Sequence, residues 1–284
     1  MDGRAAALGD KAPCTLAVMA RHAILIGIAV VFMTPIVFIV LTAVMSDAQA
    51  LSPALWPRPF HWSNFAAVFR AIPFWRYTVT TLTVAAACSV GTVLSSVPVA
   101  YALSHLRWRG RQATFVLILV TYLLPIQVTI IPSYLVFSKL GWIGSLKPLI
   151  VPSFFGDAFS IFLLRQFFRT IPSELLDAAR VEGAGEVQVL LRVVVPLARP
   201  AIVAVGLFSF FYAWNQLFLP LLYVDSNPKL WTLPLALSTF RSQHQVEWNL
   251  TMAASVLFML PVIGLFLVAQ RWLIAGVTLT GRGR

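Results

Sequence analysis

AILIGIAVVFMTPIVFIVLTAVM, residues 23–45, holds no ionisable side chain. A helix rising 1.5 Å per residue needs roughly 20 apolar residues to cross a hydrocarbon core about 30 Å thick, so this run is long enough. In lipid a helix is also the one open structure that pairs all its own backbone groups. The run follows a tail carrying Arg4, Lys11 and Arg21 and extends without interruption to Met45, so it reads as a retained first span and not a removable signal peptide. Five further runs of similar length follow, at 78–103, 113–137, 149–168, 201–224 and 250–274. The expected fold is therefore an all-α membrane protein with six transmembrane helices. It divides into a tail (1–22), a six-helix domain (23–274) and a second tail (275–284).

Composition points the same way. Hydrophobic residues make up 59% of the 284 and charged residues 11%, where a soluble domain carries about 25% charged residues. The mean hydropathy is +0.85. The net charge of +11 would suggest nucleic acid in a soluble protein. Here the cations sit in short links between apolar runs, with no basic stripe beside stacking aromatics, so no nucleic-acid partner is expected. With the N-terminus inside, 14 of the 21 Lys and Arg residues fall on the inner side. That bias places both termini in the cytoplasm. The two cysteines, Cys14 and Cys88, lie in the tail and inside a span, and no metal-ligand spacing occurs.

Proline falls inside the spans at Pro35, Pro98, Pro125, Pro152, Pro220 and Pro261. Neighbouring helices and Ser/Thr groups can satisfy the carbonyls that proline frees, so kinks are expected. The outer link 46–77 is the longest, with a short interfacial helix expected at 60–70 beside Trp56 and Trp62.

The inner link between the fourth and fifth spans, residues 171–200, reads IPSELLDAARVEGAGEVQVLLRVVVPLARP. Ser173 is a suitable N-cap, with Glu174 in the first turn where the helix dipole favours an acid. Gly183 and Gly185 end that helix. A second helix over 186–195 leads to Pro196, giving a helical hairpin. Ala178, Ala179, Gly183 and Ala184 leave little side chain, so another protein's surface can approach closely, and Asp177, Arg180 and Glu182 flank them. On pattern alone an ordinary solvated connector remains the alternative.

This segment resembles the signature "EAA" loop of binding-protein-dependent ABC importer permeases. Asp177-Ala178-Ala179, Gly183-Ala184, Pro196-Leu197 and Pro200 stand at that motif's positions, with Asp177 for its usual Glu and Glu182 for its usual Asp. The stretch 211–218 with Pro220-Leu221, the exit Tyr101-Ala102-Leu103 and the segment from Ala253 are similar to the sugar permeases of that family, most of all the smaller, maltose-system-like permease of a pair. The resemblance implies a permease subunit of an ATP-driven importer, in a bacterial cytoplasmic (inner) membrane, with 171–200 as its cytoplasmic coupling loop. It implies a second homologous permease, two copies of a cytoplasmic ATPase and an extracytoplasmic solute-binding protein as partners. Glu174, Asp177, Ala178, Ala179, Arg180, Glu182, Gly183 and Ala184 would form the docking surface, and Leu175 would add apolar contact there with Ala179 and Ala184.

No lysine follows a glycine, so the chain has no Walker A loop. It is expected to bind no cofactor and to carry no enzyme activity, with ATP and Mg held by the partner ATPase. Along the membrane path, Asp157 is the one clear ionisable candidate. It either lines the path or is a packing carboxylate satisfied by Ser153 or Ser160. Tyr122, Gln127, Tyr212, Trp214, Asn215 and Gln216 suit a sugar or related polyhydroxy solute, by hydroxyl pairing and ring stacking, or else join helices. A secondary, ion-coupled transporter is the alternative function. It would account for the spans but not for the loop, and the chain lacks the buried relay of several acids or histidines that such carriers use.

Overall fold

The computed structural model describes residues 12–239 and 247–280, and among these every regular element is helical. In chain order the principal helices are α1 (Ala12–Ala43), α2 (Ser63–Ala71), α3 (Phe74–Ser104), α4 (Arg111–Tyr122), α5 (Ile126–Lys139), α6 (Ala158–Phe168), α7 (Ser173–Val181), α8 (Arg199–Trp214) and α9 (Trp248–Thr280). Four helical stretches are long and apolar enough to cross a membrane: Val18–Ala43, Phe74–Ser104, Lys147–Phe168 and Trp248–Gln270. Two bent pairs, α4 with α5 and Glu186–Leu197 with α8, raise that number to as many as six.

The chain divides into two compact units. In the first, α1 is apolar on every side and most of its length is exposed, as a helix facing lipid requires, with Thr42 and Ala43 at its end buried. Its start at Ala12 takes in part of the segment read as a tail. Its C-terminal carbonyls are orphans in need of donors. Asn64 of α2 supplies two, from Nδ2 to the carbonyls of Ala43 at 2.9 Å and Met45 at 2.8 Å, and the His61 N–H adds a third to Val44 at 2.8 Å. The interfacial helix expected at 60–70 thus begins three residues later. Trp56, Phe60, Trp62 and Phe65 form an aromatic run before and into it.

The second unit is organised around α3, which packs on α8, on α6 and on the short 3-10 turn Val151–Phe155. Small and hydroxyl side chains make these crossings. Ser89 donates to the Gly206 carbonyl at 2.7 Å, Thr92 and Ser209 share a hydrogen bond of 3.0 Å, and Ser95 donates to the Ser153 carbonyl at 3.0 Å. Lipid tails are as apolar as leucine, so helices in a bilayer associate by close packing and such bonds.

Three expected spans are not continuous helices. The run 113–137 breaks at Leu123–Pro125, where α4 and α5 meet at 94°. Pro125 is extended (φ −63°, ψ 140°), and its ring and missing N–H stop the incoming helix. The run 149–168 changes from the Val151–Phe155 turn to α6 through Gly156, whose φ of +97° suits glycine. The run 201–224 stops at Trp214 and resumes as Phe218–Val224. The last run extends beyond 274, to Thr280.

A methyl group added at Gly91 on α3 would lie 2.4 Å from Ser153 Oγ and 2.7 Å from the Phe154 ring. Gly91→Ala is therefore expected to destabilise the protein by about 1–3 kcal/mol through overpacking, visible as a lower melting temperature of the detergent-solubilised protein. An unchanged melting temperature would show that this crossing is looser than it stands here.

Candidate functional site: the 171–200 hairpin and a polar-lined cavity

The hairpin is a closed structural unit. Pro172, not Ser173, occupies the N-cap position of α7, so Ser173 is its first helical residue and makes no cap. Proline's fixed φ and absent N–H cost nothing there. At the other end Gly183 adopts φ +88°, and its N–H bonds to the Arg180 carbonyl at 3.0 Å. The next N–H, of Ala184, reaches back to Ala179 at 3.0 Å. This pair of bonds is the Schellman closure, and it requires a left-handed residue at 183. The second arm starts at Glu186, with Gln188 Oε1 accepting from the Gly185 N–H at 3.1 Å. It runs as α-helix to Val189, widens to a π-turn over Leu190–Val194, and ends in Val195–Leu197.

Leu176, Val189 and Val194 are fully buried with Phe168 of α6 and with Ala100 and Tyr101 of α3. Burying one such aliphatic side chain contributes about 1.5–3 kcal/mol. The hairpin is therefore seated on the ends of α3 and α6. Ala179 and Ala184 are partly buried and pack against this cluster. Glu174, Asp177, Ala178, Glu182 and Gly183 are exposed. The outward apolar residues are Leu175, as expected, together with Val181 and Val187, which were missed.

A polar network crosses the hairpin. Arg180 NH1 donates to Asp177 Oδ1 at 2.8 Å, and its Nε and NH2 donate to the two oxygens of Glu186 at 2.9 and 3.2 Å. The Tyr101 hydroxyl of α3 donates to Glu186 Oε2. The bonds from Arg180 and then from Tyr101 hold the Glu186 carboxyl below the usual carboxylate range. Bonds from Glu186 and then Asp177 push Arg180 further up. Tyr101 and Glu186 were not among the expected site residues, because they lie 85 positions apart and no local spacing joins them.

Arg165, in the last turn of α6, is a buried cation. It is 6% exposed, donates from Nε to the Leu103 carbonyl at 3.0 Å, and places its guanidinium 3.8 Å from the Phe115 ring centroid. A cation at the C-terminus of α3 is favoured by the helix dipole, and the ring face adds to it.

In the same unit a cavity of about 680 Å³ opens between α3, the α4–α5 elbow, the Val151–Phe155 turn and α8. Of the expected path residues, Tyr122, Asp157, Tyr212 and Gln216 line it. Gln127 and Asn215 do not, and Trp214 is fully buried between Phe210 and Phe258, with ring centroids at 5.7 and 5.4 Å. Asn215 instead returns Nδ2 to the Phe211 carbonyl at 2.8 Å, while Gln216 Oε1 accepts from the Phe218 N–H at 3.2 Å. Thr92, Thr129, Ser133, Ser160 and Ser209 also line the cavity. Asp157 caps α6, accepting through Oδ2 from the N–H and the hydroxyl of Ser160 at 2.8 and 2.5 Å. Ser160 is thus the partner, and Asp157 both packs and faces the cavity.

Apolar spanning helices around a hydroxyl-lined cavity, with a closed hairpin on their ends, describe a multi-span transport subunit. Residues 91–279 match the family described as the binding-protein-dependent transport system inner membrane component, and the chain belongs to that family. It is 31% identical over 266 residues to a sn-glycerol-3-phosphate transport system permease protein of Yersinia enterocolitica, covering 90% of this chain and 94% of the relative. It is 31% identical over 265 residues to a diacetylchitobiose uptake system permease protein of Streptomyces coelicolor, covering 90% and 93%. A solved bacterial ABC transporter involved in the import of the acidic polysaccharide alginate shares the fold, with a TM-score of 0.76 and 24% identity over 93% of this chain and 98% of that one. The chain is an ABC importer permease, an inner membrane component, and is not itself the ATPase. The ion-coupled alternative is set aside.

Tyr101→Phe removes one hydrogen bond to a charged acceptor that is partly exposed, about 1 kcal/mol after allowing for solvent. It is expected to speed amide exchange over 186–190 roughly fivefold while leaving α3 protected, by hydrogen–deuterium exchange. Equal protection in the variant would mean the hydroxyl carries no tether.

Proposed function

We propose that the chain forms half of the translocation path for a sugar or related polyhydroxy solute, and that residues 174–187 dock into a groove of a separate ATPase subunit. The reading gives the chain six crossings with both termini in the cytoplasm. A second homologous permease completes the path, two ATPase copies hold the ATP and Mg, and an extracytoplasmic binding protein delivers the solute. The family's dependence on a binding protein supports the last of these.

The observation that carries the proposal is the Schellman-closed hairpin itself. It presents Asp177, Leu175, Val181 and Val187 outward while its inner face is fixed on α3 and α6. Docking energy would come from those apolar side chains and from Asp177, which is paired with Arg180 in this structure. A basic residue of the ATPase would share or replace Arg180 there, a bond to a charged group contributing about 1.5–3 kcal/mol. Closure of the two ATPases would then move the helices as rigid bodies between two access states. For the cargo, the relatives named for diacetylchitobiose and sn-glycerol-3-phosphate support a polyhydroxy class. So does a cavity whose polar lining is mainly hydroxyl and phenol, groups that both donate to and accept from sugar hydroxyls.

Asp177→Lys is expected to leave the protein in the membrane and to abolish the coupling of ATP hydrolysis to uptake in vesicles. Uptake at the normal rate, at equal expression, would refute the docking role.

A further inference from the structure

The cavity carries one formal charge. Among the described residues, Asp157 is the only carboxylate of its lining, which holds no ammonium, guanidinium or imidazole, and the other polar groups there are hydroxyls, phenols, a thiol and the Gln216 amide. Its carboxylate is held in place. Oδ2 takes two hydrogen bonds from Ser160, which is buried, and Gly156 at φ +97° sets the turn that aims the residue. Both bonds fall on one oxygen, leaving the lone pairs of Oδ1 for a solute hydroxyl. As N-cap, Asp157 also meets the positive end of α6, which offsets about half an elementary charge. A net negative centre remains in a cavity bounded by apolar walls, which confine its field.

We propose that Asp157 is a specificity-determining residue: it repels anionic solutes from this half of the path and accepts hydroxyl hydrogens from neutral or cationic ones. The inference rests on the reading of the cavity as part of the path. A free phosphate or carboxylate group on the cargo would meet a like charge there, with no guanidinium or ammonium in this lining to pair with it.

The test reads the field directly, in vesicles holding the assembled importer with Cys14→Ser and Cys88→Ser. A thiol is introduced at Thr129→Cys, and separately at Tyr212→Cys, and modified with the anionic reagent sulfonatoethyl methanethiosulfonate or the cationic trimethylammonioethyl methanethiosulfonate. Rates are divided by those for a free thiol in solution. A single charge a few ångströms away in a wet cavity shifts local ion concentration by about threefold to tenfold, so the cationic reagent is expected to be favoured by that factor. Asp157→Asn, which keeps an acceptor for the Ser160 N–H, is expected to erase the preference. Asp157→Ser, another good cap, serves if the first variant fails to fold. Modification without charge preference, or a preference that survives both neutral variants, overturns the role of Asp157 and leaves the path reading standing. No modification by either reagent at either position overturns both.

Discussion

Helix α3 can be approached within contact distance at Ser89, Gly91 and Thr92 because its side chains there are small. At Gly91 the neighbouring turn occupies the volume where a Cβ would be. At Ser89 and Thr92 the side chains end in hydroxyls that bond to α8. In water, large apolar residues at these positions would drive association; in lipid they would gain nothing from it, since the alternative solvent is equally apolar. The Val151–Phe155 turn and α8 are placed by what α3 omits, while α6 meets α3 in the apolar cluster of Val97, Ala100, Tyr101, Leu164 and Phe168.

The same economy explains where the cavity lies. A helix broken at membrane depth exposes backbone groups that lipid cannot satisfy, so breaks are confined to places lined by protein or water. Pro125, Gly156–Asp157 and Asn215–Leu217 are three such breaks. The last two bring their own satisfiers: the Asp157 carboxylate for the start of α6, the Asn215 amide for the end of α8, and the Gln216 amide for the start of Phe218–Val224. Lining residues come from beside all three, including Tyr122, Ile126, Gly156, Asp157 and Gln216. Polar side chains in these spans thus serve two ends, closing the backbone and wetting the cavity.

Which of these features could be read in the sequence follows from the range of the interactions. Apolar length marked the helices, and the local pattern of Gly183, Ala184 and Gly185 marked the hairpin, since a Schellman closure is set within six residues. Periodicity marks the cavity face of α5. Ile126, Thr129, Ile130, Ser133 and Phe137 recur at helical spacing on the cavity face of α5, and Gln127 lies off that face. Trp214 was chosen for its ring, yet stacking on Phe210 and on Phe258 of a distant helix buries it, and nothing near residue 214 announces that contact. The Pro125 elbow was legible as a proline, but not as a turn of 94°, because a proline kink and a chain reversal share the same residue.

The tether between Tyr101 and Glu186 gives α3 a second role beyond packing. Thr92, which lines the cavity, and Tyr101, which holds the hairpin, lie on the same helix, separated by nine residues and so by about 14 Å of rise. Pro98 lies between them, where its ring removes one backbone hydrogen bond of the helix. Glu186 in turn holds Arg180, and Arg180 holds Asp177. The hairpin's outer face is thus joined to the helix that walls the cavity through three charged side chains and one phenol hydroxyl. The apolar cluster around Leu176 keeps that link from being released by the loss of any one polar bond, because burial of Leu176, Val189 and Val194 anchors the hairpin independently. Packing fixes where the hairpin sits, and the polar chain fixes which helix feels it move.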